Sequence, residues 1–296
     1  MKFRPILLGS VSVAALATAA GMAQAEDALP GGYTVSVEGS AQFGTNTVAE
    51  DKLGSAGSAA DIQDNFGYHG AVAVGQRIDE SLDWKLALGF TEQMPSESSV
   101  VSSGGSGGYG VFTNDFDFQT ADLELGFRPE VGVINLRLFG GVRAMHFNDS
   151  LDKLGYESGG PGGFGAEFNY SNEFFGAGPR IGIEGSLPLG DSMFGISGMA
   201  AASAIYGVQR GNADYTLFSG GFVSPSFPLP PQESWGTVLN LEAALGLDVH
   251  LNDSTTVTVG LRGETVSGLS NFSGGSGGPS DSRFSYGPTV KLTSSF

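Results

Sequence analysis

Cysteine is absent from the 296 residues, which removes disulfide staples, thiolate metal centres and a cysteine nucleophile in one step. Positive charge is scarce: 14 Lys and Arg stand against 31 Asp and Glu, for a net charge of −17. Such an excess resists binding to polyanions, and no aromatic-flanked Lys/Arg cluster offsets it, so nucleic acid is not expected as a partner. Histidine occurs only at His69, His146 and His250, with neither metal-ligand spacing nor a serine elbow nearby. No apolar run beyond residue 25 reaches the roughly 20 residues that a membrane helix needs. Any insertion into a bilayer therefore has to use strands, whose signal is weak and alternating.

What the chain does have begins with an export leader. Lys2 and Arg4 precede an apolar run from Ile6 to Ala20, and Ala23-Gln24-Ala25 has the small-x-small form of a signal peptidase site. Cleavage is expected to remove residues 1–25 and leave 26–296 as a single domain with 12 basic and 31 acidic residues, net −19. Glycine is abundant, with 48 residues, about twice ordinary usage. Hydrophobic residues still make up 40%, which argues against disorder throughout.

Period-two alternation then recurs along the mature chain. Phe66, Tyr68, Val72, Val74 and Ile78 share one parity, Asp79-Glu80-Ser81 turns the chain, and Leu82, Trp84, Leu86, Leu88 and Phe90 continue it. Three further hairpins turn at Pro129-Glu130-Val131-Gly132, at Pro188-Leu189-Gly190-Asp191 and at Asn252-Asp253-Ser254. Unpaired strands at Tyr33 to Phe43 and Phe284 to Phe296 bring the count to about ten, with eight to twelve possible. Short turns alternate with long Gly-, Ser-, Pro- and Asp-rich segments at about 45–64, 93–114, 148–172, 209–234 and 268–281, which are expected to be loops. The pattern predicts an all-β fold, a transmembrane antiparallel up-and-down β-barrel with short periplasmic turns and long outer loops. Closure is required because hydrocarbon cannot satisfy an open sheet edge. Aromatics such as Tyr33, Phe43, Phe66, Tyr68, Phe90, Phe127, Tyr206 and Trp235 fall towards strand ends, where interfacial girdles belong. Tyr286, Val290, Leu292 and Phe296 alternate down to a terminal aromatic, the form of a membrane-insertion signal read by the barrel-insertion machinery.

With the apolar parity facing lipid, the other parity points inward and carries Asp122, Glu124, Arg128, Arg137, Arg143, Arg180, Glu184, Glu242, Arg262 and Glu264. Charges in a narrow lumen are costly unless hydrated or paired, so two arrangements compete. In one they face a water-filled pore and select solutes by charge. In the other they neutralise one another and fill the barrel, as small barrels of about eight strands are filled. Catalysis has little support: His146 and Asp149 lie near the outer end of a strand, but a lone His beside an Asp is usually solvated surface. Gly104 to Gly108 and Ser273 to Gly278 are loop sequence, since neither lies between a strand and a helix.

The stretch Asp115 to Phe147, in which an acidic strand leads into a Leu-Arg strand and a Gly-x-Arg, resembles the Legionella-type major outer membrane protein family. So do Gly176 to Gly190, with its Gly-Pro-Arg-x-Gly step, and the small-residue strand Phe194 to Gly207. The resemblance implies an outer-membrane location, reached through the periplasm, and a pore-forming role. The expectation is therefore a porin-like channel for passive diffusion of small hydrophilic solutes. The alternative is a non-conducting structural or adhesive barrel that acts through its outer loops. The partners expected are outer-membrane lipid and lipopolysaccharide, the insertion machinery, small solutes and, in one arrangement, further copies of the chain; no cofactor, metal or catalytic residue is expected.

Overall fold

A computed structural model describes residues 31–45, 59–61, 65–101, 109–157, 164–190, 192–219, 222–269 and 281–296. The export leader and the two Gly-Ser runs lie outside these residues. Ten long strands form the wall: β1 (Tyr33–Thr45), β2 (Asn65–Arg77), β3 (Leu82–Val101), β4 (Tyr109–Phe127), β5 (Ile134–Glu157), β6 (Phe164–Pro188), β7 (Phe194–Ser219), β8 (Gln232–Asn252), β9 (Thr255–Leu269) and β10 (Asp281–Ser295). Each pairs antiparallel with its sequence neighbours, and β1 pairs with β10 from Thr34↔Ser295 to Thr45↔Phe284, which closes the barrel. Tyr33 and Phe296 exchange both backbone hydrogen bonds, at 3.0 and 2.8 Å, so the last residue is stitched to the first strand.

Short polar turns connect the strands at the periplasmic end. Between β2 and β3, Asp79 Oδ1 accepts from the Ser81 N–H at 2.7 Å, the Ser81 hydroxyl at 3.0 Å and the Leu82 N–H at 2.8 Å. Asn252 does the same for Ser254 between β8 and β9, both contacts at 3.0 Å. These side chains occupy backbone donors that the turn would otherwise leave unpaired.

Outward from the turns the wall is apolar, with Leu86, Leu88, Leu123, Leu125, Val142, Ile181, Leu241, Leu245 and Leu261 all exposed. A surface of this kind belongs in hydrocarbon, where exposed leucine costs nothing and an inward charge is shielded. Aromatics border it. Phe43 packs on Phe66 and on Tyr286 with ring centroids 5.7 and 6.0 Å apart, and Tyr206 stacks on Trp235 at 5.6 Å. Tyr33, Phe127 and Phe194 are exposed at the opposite, periplasmic border.

The strands do not stop at that outer girdle, and here three of the expected long loops are corrected. Segments 93–114, 148–172 and 209–234 are largely ladder: β3 runs to Val101, β4 starts at Tyr109, β5 reaches Glu157, β6 begins at Phe164, β7 ends at Ser219 and β8 begins at Gln232. A bilayer needs about 9 to 11 residues per tilted strand, whereas β6 and β7 have 25 and 26. From Tyr206 to Ser219 alone the chain rises by about 40 Å of strand. Past the girdle the two faces exchange character. On β4 the outward leucines at 123 and 125 give way to outward Asp115, Asp117 and Gln119, while Phe116 and Phe118 turn inward and are buried. Met145 and Phe147 on β5 and Phe174 on β6 do the same. Water replaces lipid at this height, so the wall takes the apolar-in, polar-out pattern of a soluble barrel. Composition alone reads such strands as loops because their outer face is Gly, Ser, Asn and Asp.

Candidate functional site

The lumen is the site that the inward parity builds, and it is organised in three levels. Uppermost lies an apolar plug of Phe116, Phe118, Met145, Phe147, Phe174, Ile205, Val238 and Val266, all buried. Phe147 stacks on Phe174 with centroids 5.1 Å apart and meets Phe116 at 6.0 Å. The Arg283 guanidinium stands 5.3 Å from the Phe116 centroid and holds Asp149 at 2.9 and 3.0 Å.

Directly beneath is a layer of ion pairs. Asp122 and Arg143 face each other in register on β4 and β5, and the guanidinium takes both carboxylate oxygens at 2.6 Å. Arg143 also reaches across the lumen to donate to Asn240 and Glu242 on β8. Glu242 accepts from Arg180 of β6 at 2.7 Å and from Arg262 of β9 at 2.9 Å as well. Glu124, 1% exposed, accepts from Arg137 at 2.9 Å and Arg180 at 3.1 Å and lies 3.2 Å from Lys85. Glu264 accepts from Asn240 at 2.8 Å and lies 3.5 Å from Arg262. Glu184 accepts from Lys85 at 2.5 Å, and Asp83 joins Arg137 at 2.8 Å to Arg128 at 2.6 Å.

Small residues make room for this crowding. A Cβ on Gly126 would lie 2.3 Å from Asp83 Oδ1 and 2.4 Å from Arg137 Nε, so only glycine admits that pair. Gly178 brings β6 within reach of β7, where a Cβ would lie 1.9 Å from the Ala204 carbonyl oxygen. That glycine belongs to the Gly-Pro-Arg step noted in the sequence. Arg180, two residues on, is thereby carried into the lumen. Phe139 completes the level: the Arg137 and Arg180 guanidiniums and the Lys85 ammonium lie 5.0, 5.5 and 5.5 Å from its ring centroid.

Roofed by Arg143, Arg180 and Glu242 of this layer, a cavity of about 350 Å³ extends to the periplasmic strand ends, where Ser36, Asp248 and Lys291 line it. Asp248 there accepts from Ser197 at 2.7 Å and Thr258 at 2.6 Å.

Asp122, Glu124, Arg128, Arg137, Arg143, Arg180, Glu184, Glu242, Arg262 and Glu264 thus all lie in one connected inner network. Tyr286 and Val290 of the carboxy-terminal strand are exposed on the outer wall, Leu292 is half-buried there, and Phe296 sits at the seam with β1. The buried phenylalanine plug was missed, and its signal was the phase reversal at Gln119-Thr120-Ala121. His146 and Asp149 are separated by the wall itself: His146 points outward, its Nε2 3.0 Å from Glu173 Oε1, while Asp149 points in to Arg283. Among the described residues no group of three or more His, Asp or Glu is placed to hold a metal ion.

The family model of the Legionella pneumophila major outer membrane protein precursor matches residues 109–261, just over half of the chain. No curated protein matches the sequence. Among solved structures, the outer membrane protease OmpT of Escherichia coli is similar in fold, with a TM-score of 0.54 at 10% identity over 90% of this chain and 97% of that one. The translocator domain of the autotransporter NalP of Neisseria meningitidis matches at a TM-score of 0.40 and 12% identity over 97% of both chains.

Proposed function

The chain belongs to the Legionella major outer membrane protein family and is a bacterial outer-membrane β-barrel, and from that premise we propose that its lumen is closed by side chains and that it acts through its tall outer extension. One observation carries this reading: a buried apolar plug stacked on a layer of shared ion pairs fills the lumen above the periplasmic cavity. Ten strands make a narrow barrel, nearer the side-chain-filled size of about eight than the aqueous channels of about 16 to 18. The extension offers an ordered face for contact. Outward residues Glu92, Asp117, Asn148, Glu173, Arg210 and Glu233 are consecutive cross-strand partners over β3 to β8, a mostly acidic row above the aromatic girdle. Val223, Phe227 and Leu229 are exposed beside it. The chain is proposed to be non-enzymatic, since His146 and Asp149 sit on opposite faces.

A porin-like role is the second reading. Its support is the pore-forming character of the family and the polar cavity at the periplasmic end; it requires both the ion-pair layer and the plug to move aside. Cells displaying the full chain are compared with cells in which β3 to β8 are shortened to the girdle, scoring attachment to host cells or matrix and entry of a small sugar into proteoliposomes. Attachment lost on shortening, with no sugar entry by the full chain, is the expected result. Sugar entry by the full chain together with unchanged attachment would overturn the proposal.

A further inference from the structure

The cavity beneath the ion-pair layer has an unequal supply of hydrogen-bonding groups. Its carboxylates are engaged: Glu124 and Glu184 by Lys85 and Arg137, Asp248 by Ser197 and Thr258, and Glu38 by Arg262 at 3.2 Å and Thr289 at 3.3 Å. Three of its cations keep donors unused. Arg137 is 97% buried and lines the cavity, yet its Nη2 has no partner. Arg128 uses Nε on Asp83, and neither of its terminal nitrogens is hydrogen-bonded among the described residues. Lys291 also lines the cavity and makes no hydrogen bond or ion pair within 4 Å among the described residues, although Glu38 and Glu184 lie within its electrostatic reach. A buried donor such as Arg137 Nη2 is rarely left without an acceptor, and its desolvation cost is one that a ligand can remove, while Arg128 and Lys291, less buried, offer further donors beside it. The surrounding wall supplies hydroxyls from Ser36, Thr256 and Thr293.

We infer that this periplasm-facing cavity binds a small oxyanion, a phosphate or a short carboxylate, held by Arg137, Arg128 and Lys291. The volume of about 350 Å³ suits such a ligand with part of its hydration shell. Access is from the periplasm, because Lys85, Glu184 and Arg128 keep 25, 28 and 36% of their side chains exposed while the groups above them are sealed. The site is entered from the periplasmic side and does not depend on the ion-pair layer opening, so a silent channel leaves the inference standing.

The test uses the mature chain refolded in detergent micelles and titrated calorimetrically with inorganic phosphate, then with succinate, at ionic strength fixed by sodium chloride. Saturable binding of at least one probe is expected, with K291Q and R128Q each weakening it about tenfold and R210Q, on the outer wall, leaving it unchanged. The unfolding midpoint should rise with the bound probe in the wild type and rise less in K291Q. No saturation beyond the chloride control, or equal binding by the wild type, K291Q and R128Q, would overturn the inference. So would loss of binding in R210Q, which would put the anion on the surface.

Discussion

Glu242 is buried and accepts from three guanidiniums on three different strands, Arg143, Arg180 and Arg262. Taking away one member of a buried ionic set strands its partners, which costs about 3–5 kcal/mol. E242Q is therefore expected to lower the urea-unfolding free energy of the refolded barrel by that amount, whereas R210Q, which breaks only the exposed Arg210–Glu233 pair, should change it by less than about 1 kcal/mol. Equal effects would mean that the layer is hydrated. At the turn, the backbone N–H groups of Ser81 and Leu82, with the Ser81 hydroxyl, hold the Asp79 carboxyl below its ordinary value. A lowered folded value means that the charged form favours the fold. The contribution is fully present above the unfolded carboxylate's value, near 4, and is lost as pH falls through the lower folded one. D79N should accordingly lose the part of the stability decline that the wild type shows below about pH 4, read as unfolding midpoint against pH. The inward charges were legible residue by residue because parity alone assigns them. Which acid meets which base was not, since Arg143 and Glu242 are 99 positions apart and only strand order brings them together.

The same parity rule, applied to whole strands, was read in one environment only. Hydrophobic alternation gave the hairpins and their turns correctly because lipid outside and polar lumen inside impose one phase over about ten residues. On β4 that phase reverses between Ala121 and Phe118 without any register shift in its pairing with β5. The reversal marks the height at which the outside becomes aqueous, and in the sequence it looks like the end of the strand. If the upper half of each strand is a soluble-type wall around Phe147, then F147S should cost about 3–5 kcal/mol there. It should expose β4 to β6 beyond the girdle to protease on intact cells while the membrane-embedded part stays folded and heat-resistant. Cleavage of the wild type at the same rate would show that the plug holds nothing in place.

For the molecule as a whole, closure and family were both accessible from sequence: paired hairpins need an even, sealed wall in lipid, and the Asp115–Phe147 and Gly176–Gly207 stretches carry the resemblance. Whether the lumen is filled was not, because an inward arginine looks the same in a wet pore and in a dry network. The distances among Asp122, Glu124, Arg143, Arg180 and Glu242, with the phenylalanines stacked above them, are what support the filled lumen proposed above. The direct measurement is single-channel conductance of the mature chain refolded into a planar bilayer, with insertion verified independently. A silent wild type, and discrete steps only when E242A and F147A are combined, is the result a side-chain-closed lumen predicts; reproducible steps from the inserted wild type, with a reversal potential that shifts in a salt gradient, would contradict it.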